Sequence, residues 1–187
     1  MRRIRVRPVG PGDAGAFDAF VRGLSPTACH HRFLLGLREL TPGLLRLLTQ
    51  APAPGQLGLV ALVDGNIVGE VRYAQDVRRS GDFAIAVADE WQRCGVGSWL
   101  LRDLVRRARV EGLERLIGEV AATNAAMLAF ARKAGFGIRS HPADARLARV
   151  VLELGAYSAN SPAMSSYEAS RVAYSPVMVS SMTSSAA

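Results

Sequence analysis

Apolar positions along this chain follow two periods, and the points where one replaces the other mark its elements. Ile4-Arg5-Val6-Arg7 alternates and predicts a first strand, stopped by Pro8. Pro11-Gly12-Asp13 is a turn whose Asp13 is expected to cap a helix from Ala14 to Arg22. Ser25-Pro26 predicts a second helical stretch, Thr27 to Leu37, and Thr41-Pro42 a third through Leu48. Leu57 to Val63 and Ile67 to Tyr73 read as strands joined by Asp64-Gly65-Asn66, a hairpin signal. After the polar turn Asp76 to Gly81, a central strand carries Phe83, Ile85 and Val87. Beyond Gly97 the period becomes helical. Leu100, Leu101, Leu104, Val105 and Ala108 share one face, Arg102, Arg106 and Arg109 stand opposite, and Gly112 ends the helix. A strand from Arg115 to Ala121, a helix from Ala125 to Ala134 capped by Thr123-Asn124 and stopped by Gly135, and strands Ile138 to Ser140 and Leu147 to Leu154 complete the pattern. Residues 1–154 are expected to form one domain. From Gly155 to Ala187 Ser and Ala dominate without a stable period; this tail is expected to be mostly disordered, with a short helix near Ser166 to Ala173.

The strand, glycine loop and helix from Asp82 to Gly112 have the makings of an anion site. A helix start presents backbone N–H groups without intrahelical partners, at the positive end of the macrodipole. Gly95 and Gly97 leave those amides open to a ligand, and a pyrophosphate is the size of anion expected there. The loop is not a Walker A loop, since the Gly-Lys-Ser/Thr ending is missing, and it lacks the third glycine of a dinucleotide-binding loop.

Composition narrows the class. The chain has 187 residues, 49% of them hydrophobic, so one well-filled core is within reach, built mostly of aliphatic side chains because aromatics are only 6%. The two cysteines, Cys29 and Cys94, make no disulfide framework. No apolar run is long enough to cross a bilayer, and Met1-Arg2-Arg3-Ile4-Arg5 lacks the apolar stretch of a secretion signal, so no membrane partner and a cytoplasmic location are expected. The formal net charge is +7, carried by arginine with Lys133 as the lone lysine. The arginines are spread along the chain without a nucleic-acid motif and its interleaved aromatics, so nucleic acid is not the expected partner. His30 and His31 point about 100° apart on a helix and cannot share a metal; none is expected.

Gln92-Arg93-Cys94-Gly95-Val96-Gly97 matches the [Gln/Arg]-x-x-Gly-x-[Gly/Ala] loop of the GNAT acetyltransferases, and Asn124 followed by Gly135-Phe136 is similar to that superfamily's second signature. The resemblance covers about residues 2 to 154. Arg7-Pro8-x-x-Pro11-x-Asp13, Leu24-Ser25-Pro26, Arg32-Phe33 and Leu40-Thr41-Pro42 resemble one branch, the bacterial protein-lysine acetyltransferases of the Pat type. It implies an α/β (α+β) GNAT fold: a central mixed, mostly antiparallel twisted sheet of six to seven strands flanked by helices, splayed between the fourth and fifth strands.

What the resemblance implies for function is acetyl transfer from acetyl-CoA, a cosubstrate, to a primary amine in a ternary complex, with a protein lysine as acceptor. The amides of Arg93, Cys94, Gly95, Val96, Gly97 and Ser98, with Gln92, would hold the CoA pyrophosphate, and Asn124 would contact the cofactor. The pantetheine arm would lie along Ile85, Ala86 and Val87, with the Val87 amide on the thioester oxygen. A carboxylate, directly or through water, would take the proton of the amine: Asp82, where this branch has Glu, or Glu119, where other branches place their base; Glu70 is a third candidate. The helix after Asn124 lacks the Tyr that serves other members as general acid; Ala131 stands there. A small-molecule amine as acceptor and a non-catalytic acyl-CoA-sensing module are the alternatives.

Overall fold

A computed structural model describes residues 3–34, 39–76 and 78–155. It holds seven strands and five α-helices, in the order β1 (Arg5–Pro8), α1 (Ala14–Arg22), α2 (Pro26–Phe33), α3 (Pro42–Leu48), β2 (Gln56–Val63), β3 (Asn66–Gln75), β4 (Ser80–Val87), α4 (Val96–Val110), β5 (Arg115–Ala121), α5 (Ala125–Lys133), β6 (Gly137–Ser140) and β7 (Leu147–Glu153). The strands form one sheet in the order β1-β2-β3-β4-β5-β7-β6. Every pairing is antiparallel except β4 with β5, the two strands joined through α4. A parallel pair needs such a crossover, which is why the change of period in the sequence falls between them.

Both faces of the sheet are covered, so the central strands read as apolar runs rather than clean alternations. In β2, Val60 packs with Phe17, Phe20, Val21 and Leu48 of α1 and α3, whereas Leu59, Ala61 and Val63 belong to the core under α4. Along α4 the buried positions are Val96, Leu100, Leu101, Leu104 and Ala108, while Val105 of the expected stripe is half-buried at its edge. α4 and α5 end on left-handed glycines, Gly112 at φ 76° and Gly135 at φ 89°. In both, the following amide reaches back five residues, Leu113 to Ala108 and Phe136 to Ala131 at 3.0 Å each, closing a Schellman turn.

Local details depart from the sequence reading. Asp13 does not cap α1; its carboxylate accepts from both Arg7 guanidinium nitrogens at 2.7 and 2.6 Å and from the Gly10 amide at 2.9 Å. A forked charge-assisted pair outcompetes a single amide for the same oxygens. The hairpin turn narrows to Asp64 and Gly65, both at positive φ, and the strands it joins run longer than expected, to Gln56 and Gln75. α2 stops at Phe33, where Leu34 takes φ 53°. The end of the expected second helix and the tail from Ala156 onward lie outside the described residues, and no helix among those described is long and apolar enough to cross a membrane.

Candidate functional site

The sheet is split where its one parallel pairing runs out. β4 and β5 register over Ser80–Arg115, Gly81–Leu116 and Asp82–Ile117 only. Beyond that point β4 runs on to Val87 beside β3, while β5 stays with β7 to Ala121. Phe83, the first residue past the last pair, lays its ring against Gly118 of β5 and 5.1 Å from the Phe136 ring. Gly118 has to be a glycine for this: a Cβ there would stand 2.6 Å from Phe83 Cε1.

The main chain of β4 facing the split has a definite polarity. The Ala88 amide donates to Val68 O at 3.0 Å, so by strand alternation Ala86 and Ala84 also turn toward β3. The N–H and C=O groups of Ile85 and Val87 therefore point into the split. Val87 O accepts from Gln92 Nε2 at 3.3 Å, a side-chain amide standing where the next strand would be. Ala86 differs from Ile85 and Val87: it borders the cleft, but its main chain turns toward Glu70 on β3.

At the end of β4 a short 3-10 turn, Asp89–Trp91, leads into Gln92–Gly95. Arg93 sits at φ 59° and Gly95 at φ 88°, so the backbone curls and then starts α4 at Val96. Consecutive amides in such a curl, at a positive helix end, form an anion cradle. Arg93, Gly95, Gly97 and Ser98 line the split directly. Val96, the first residue of α4, has its side chain fully buried, so only its main chain can serve a ligand, and Cys94 is exposed with a free thiol. Gly97 lies near Phe130 and Val87, where an added Cβ would be 3.6 and 3.7 Å from their side chains.

Between these walls lies a cleft of about 490 Å³, large enough for a drug-sized ligand. Its polar lining includes Asn124, whose Oδ1 accepts from the Met127 amide at 3.0 Å and caps α5. Glu119 is on the cleft wall and His141 and Arg149 hold it: His141 Nε2 is 3.0 Å and Arg149 Nη2 3.5 Å from its Oε1. The amides of Ala143 and Asp144 donate to His141 Nδ1 at 3.3 and 3.0 Å, which leaves Nε2 facing both Glu119 Oε1 at 3.0 Å and Arg149 Nη2 at 3.1 Å.

Asp82 is elsewhere. It lines a second, smaller cavity of about 60 Å³ together with Arg72 and Gln56, on the α3 side of the sheet. Ala84 and Arg32 border both cavities and stand between Asp82 and the cleft. Glu70 is 1% exposed and paired to two guanidiniums, Arg32 Nε on one oxygen and Arg72 Nε at 3.0 Å on the other. Burial alone would raise its carboxyl, but Arg32 and Arg72 outweigh that and hold it below the usual carboxylate range. A base so enclosed cannot reach a ligand. Sequence reasoning missed His141 and Arg149 as partners of Glu119. Arg149 faces Glu119 across the β5–β7 register, a pairing that no local spacing announces.

Comparison with known proteins bears on the fold and the family. Residues 30–136 match the model of the acetyltransferase (GNAT) family. An acetyltransferase of Pseudomonas aeruginosa is 32% identical over 148 residues, covering 76% of this chain and 80% of the relative. The crystal structure of the GNAT domain of S. lividans PAT superposes with a TM-score of 0.76 at 25% identity, covering 80% of this chain and 90% of that one. The PaiA N-acetyltransferase of Thermoplasma acidophilum, solved in complex with coenzyme A, superposes at 0.62 with 13% identity, over 81% of this chain and 99% of that one, a likeness of fold alone.

Proposed function

Since this chain belongs to the GNAT acetyltransferase family, we propose that it transfers the acetyl group of acetyl-CoA to a lysine side chain of a protein. Acetyl transfer from acetyl-CoA to an amine is the family's chemistry; the lysine acceptor is the narrower reading. What supports the narrower reading is the similarity of the N-terminal helices to the Pat branch, carried by Ser25-Pro26, Arg32-Phe33 and Thr41-Pro42, and the likeness to the GNAT domain of S. lividans PAT.

The observation that carries acetyl transfer is the half-paired β4. Its free edge offers Ile85 and Val87 main-chain groups to an extended pantetheine, as an added strand would be bound, and the amide curl from Arg93 to Ser98 receives the pyrophosphate at the end of that edge. In this reading the Val87 amide donates to the thioester oxygen as negative charge gathers on it. Glu119, on the cleft wall, draws the ammonium form of the acceptor inward, Asp82 adds negative charge from the neighbouring cavity, and the ammonium gives its proton to a base in the cleft directly or through water. The departing thiolate is a tolerable leaving group near neutral pH, which fits a helix with Ala131 where a general acid would stand. In this reading the domain runs to residue 154, whose amide bonds Glu114 O at 2.8 Å.

The test has two arms. Free CoA thiol should appear when the protein meets acetyl-CoA and a lysine-containing peptide, and mass spectrometry of cellular proteins should find lysines acetylated only when the chain is present. Thiol release with small amines but with no peptide would overturn the lysine reading and leave the family chemistry standing.

A further inference from the structure

Among the described residues, the cleft has three ionisable side chains able to accept a proton: Asp89, Glu119 and His31. Asp89 is engaged with Ser25, taking its amide at 2.9 Å and its hydroxyl at 2.8 Å. Glu119 is held through Oε1 by His141 and Arg149. His31 is different. It projects from α2 into the cleft and, among the described residues, no hydrogen bond engages its ring; its aromatic neighbour is His30, with centroids 6.3 Å apart.

We propose that His31 is the group that takes the proton from the acceptor's ammonium inside the cleft, a role that rests on the acetyl-transfer reading above. The geometry supports this more directly than it supports either carboxylate. α2 packs on β4, and β4 offers the cleft only Phe83, Ala84, Ile85, Ala86 and Val87, so no charge on that strand competes with the ring. The charged groups that share the cleft are Arg32 beside it on α2, Arg93 at the phosphate loop, Asp89 on the 3-10 turn, and Glu119 backed by Arg149 on β5 and β7. Exposed His30 adds a second imidazole on the same helix. Burial, and then His30, hold the His31 imidazole below the ordinary histidine value, so near neutral pH it is the basic form that faces the acceptor.

The step balances as follows. One ammonium proton passes to a His31 ring nitrogen and leaves a neutral amine. The amine's lone pair forms the C–N bond at the thioester carbonyl, and the C–S bond breaks with its electron pair on sulfur. The second N–H proton reaches the thiolate through water, giving the amide and CoA thiol, and the imidazolium discharges to solvent.

The experiment uses the full chain with acetyl-CoA and a lysine-containing peptide. Thiol release is followed across roughly pH 5 to 8, the range in which an imidazole changes charge. His31→Gln and His31→Asn should each lower kcat/KM about 100-fold and remove the acidic limb that an imidazole gives the wild type. Calorimetry should find acetyl-CoA affinity unchanged, added imidazole should restore part of the rate to His31→Ala, and His30→Gln should keep the acidic limb, moved slightly to higher pH because His30 no longer depresses His31. Thermal melting screens the variants for folding. The proposal is overturned if a folded His31 variant keeps more than half the wild-type rate and the same limb, or if imidazole restores nothing. Wild-type silence toward every amine would overturn the acetyl-transfer reading itself, which is a different result from an active enzyme indifferent to position 31.

Discussion

Replacing Glu70 with Gln should destabilise the protein by about 4 kcal/mol, far more than the loss of a surface ion pair. The carboxylate is 1% exposed, and its two partners, Arg32 and Arg72, have side chains 6% and 13% exposed. Gln keeps the volume and removes the charge, so two guanidiniums are left buried with no carboxylate between them. Removing one partner of a buried pair costs about 3–5 kcal/mol, because the remaining charge has lost its solvation and its counter-ion together. The second arginine adds little to this, since Arg72 keeps the Leu48 carbonyl at 3.0 Å. For a domain of this size the loss corresponds to a melting temperature lower by roughly 8–16 °C. Urea denaturation at neutral pH, followed by the fluorescence of Trp91 and Trp99, measures it. A stability loss under about 1 kcal/mol would refute the reasoning, because it would mean that water or relaxation solvates the arginines as well as Glu70 does. The pH dependence gives a second reading. Glu70 is held below its unfolded value of about 4.3, so its contribution is complete above that value and is lost as pH falls through the lower folded value. The wild type should lose stability on acidification more steeply than Glu70→Gln.

Three further outcomes follow from the site. Gly97→Leu should weaken acetyl-CoA binding at least 10-fold by calorimetry with a small change in melting temperature, since its side chain would grow toward Phe130 and Val87 into the cleft; Gly95→Ala, strained at φ 88°, should lose about 1 kcal/mol of stability as well as affinity. Glu119→Gln should lower turnover at least 10-fold with acetyl-CoA affinity nearly unchanged, and Asp82→Asn, acting from the neighbouring cavity, should lower it less; parallel rate and binding measurements that find neither variant slowed would remove the carboxylates from the mechanism. Gly118→Ala should cost about 1–3 kcal/mol, because Phe83 is packed between Gly118 and Phe136 and has to shift to admit a methyl; an unchanged urea midpoint would show that the split tolerates movement there.

The sequence by itself determined the elements, their order and the amide cradle, because these depend on neighbours in the chain. Helix and strand periods, the capping Ser25, Thr41 and Asn124, and glycines at positive φ act over a few residues, and each shows in the order of letters. The family loop is readable for the same reason: a curl that exposes consecutive amides needs glycine near one place. Tertiary structure decided the chemistry of the side chains, because burial and charge partners come from residues far apart in sequence. Asp82 and Glu119 read as equivalent strand carboxylates, yet strand alternation and the placing of α2 and α3 put Asp82 in the smaller cavity and Glu119 on the cleft wall. Glu70 lost its candidacy to an arginine 38 residues away on α2, and Glu119 gained its partners from residues brought alongside by the β5–β7 register. His31 read as an unremarkable helical histidine; only the packing of α2 on the free half of β4 brings its ring into the cleft.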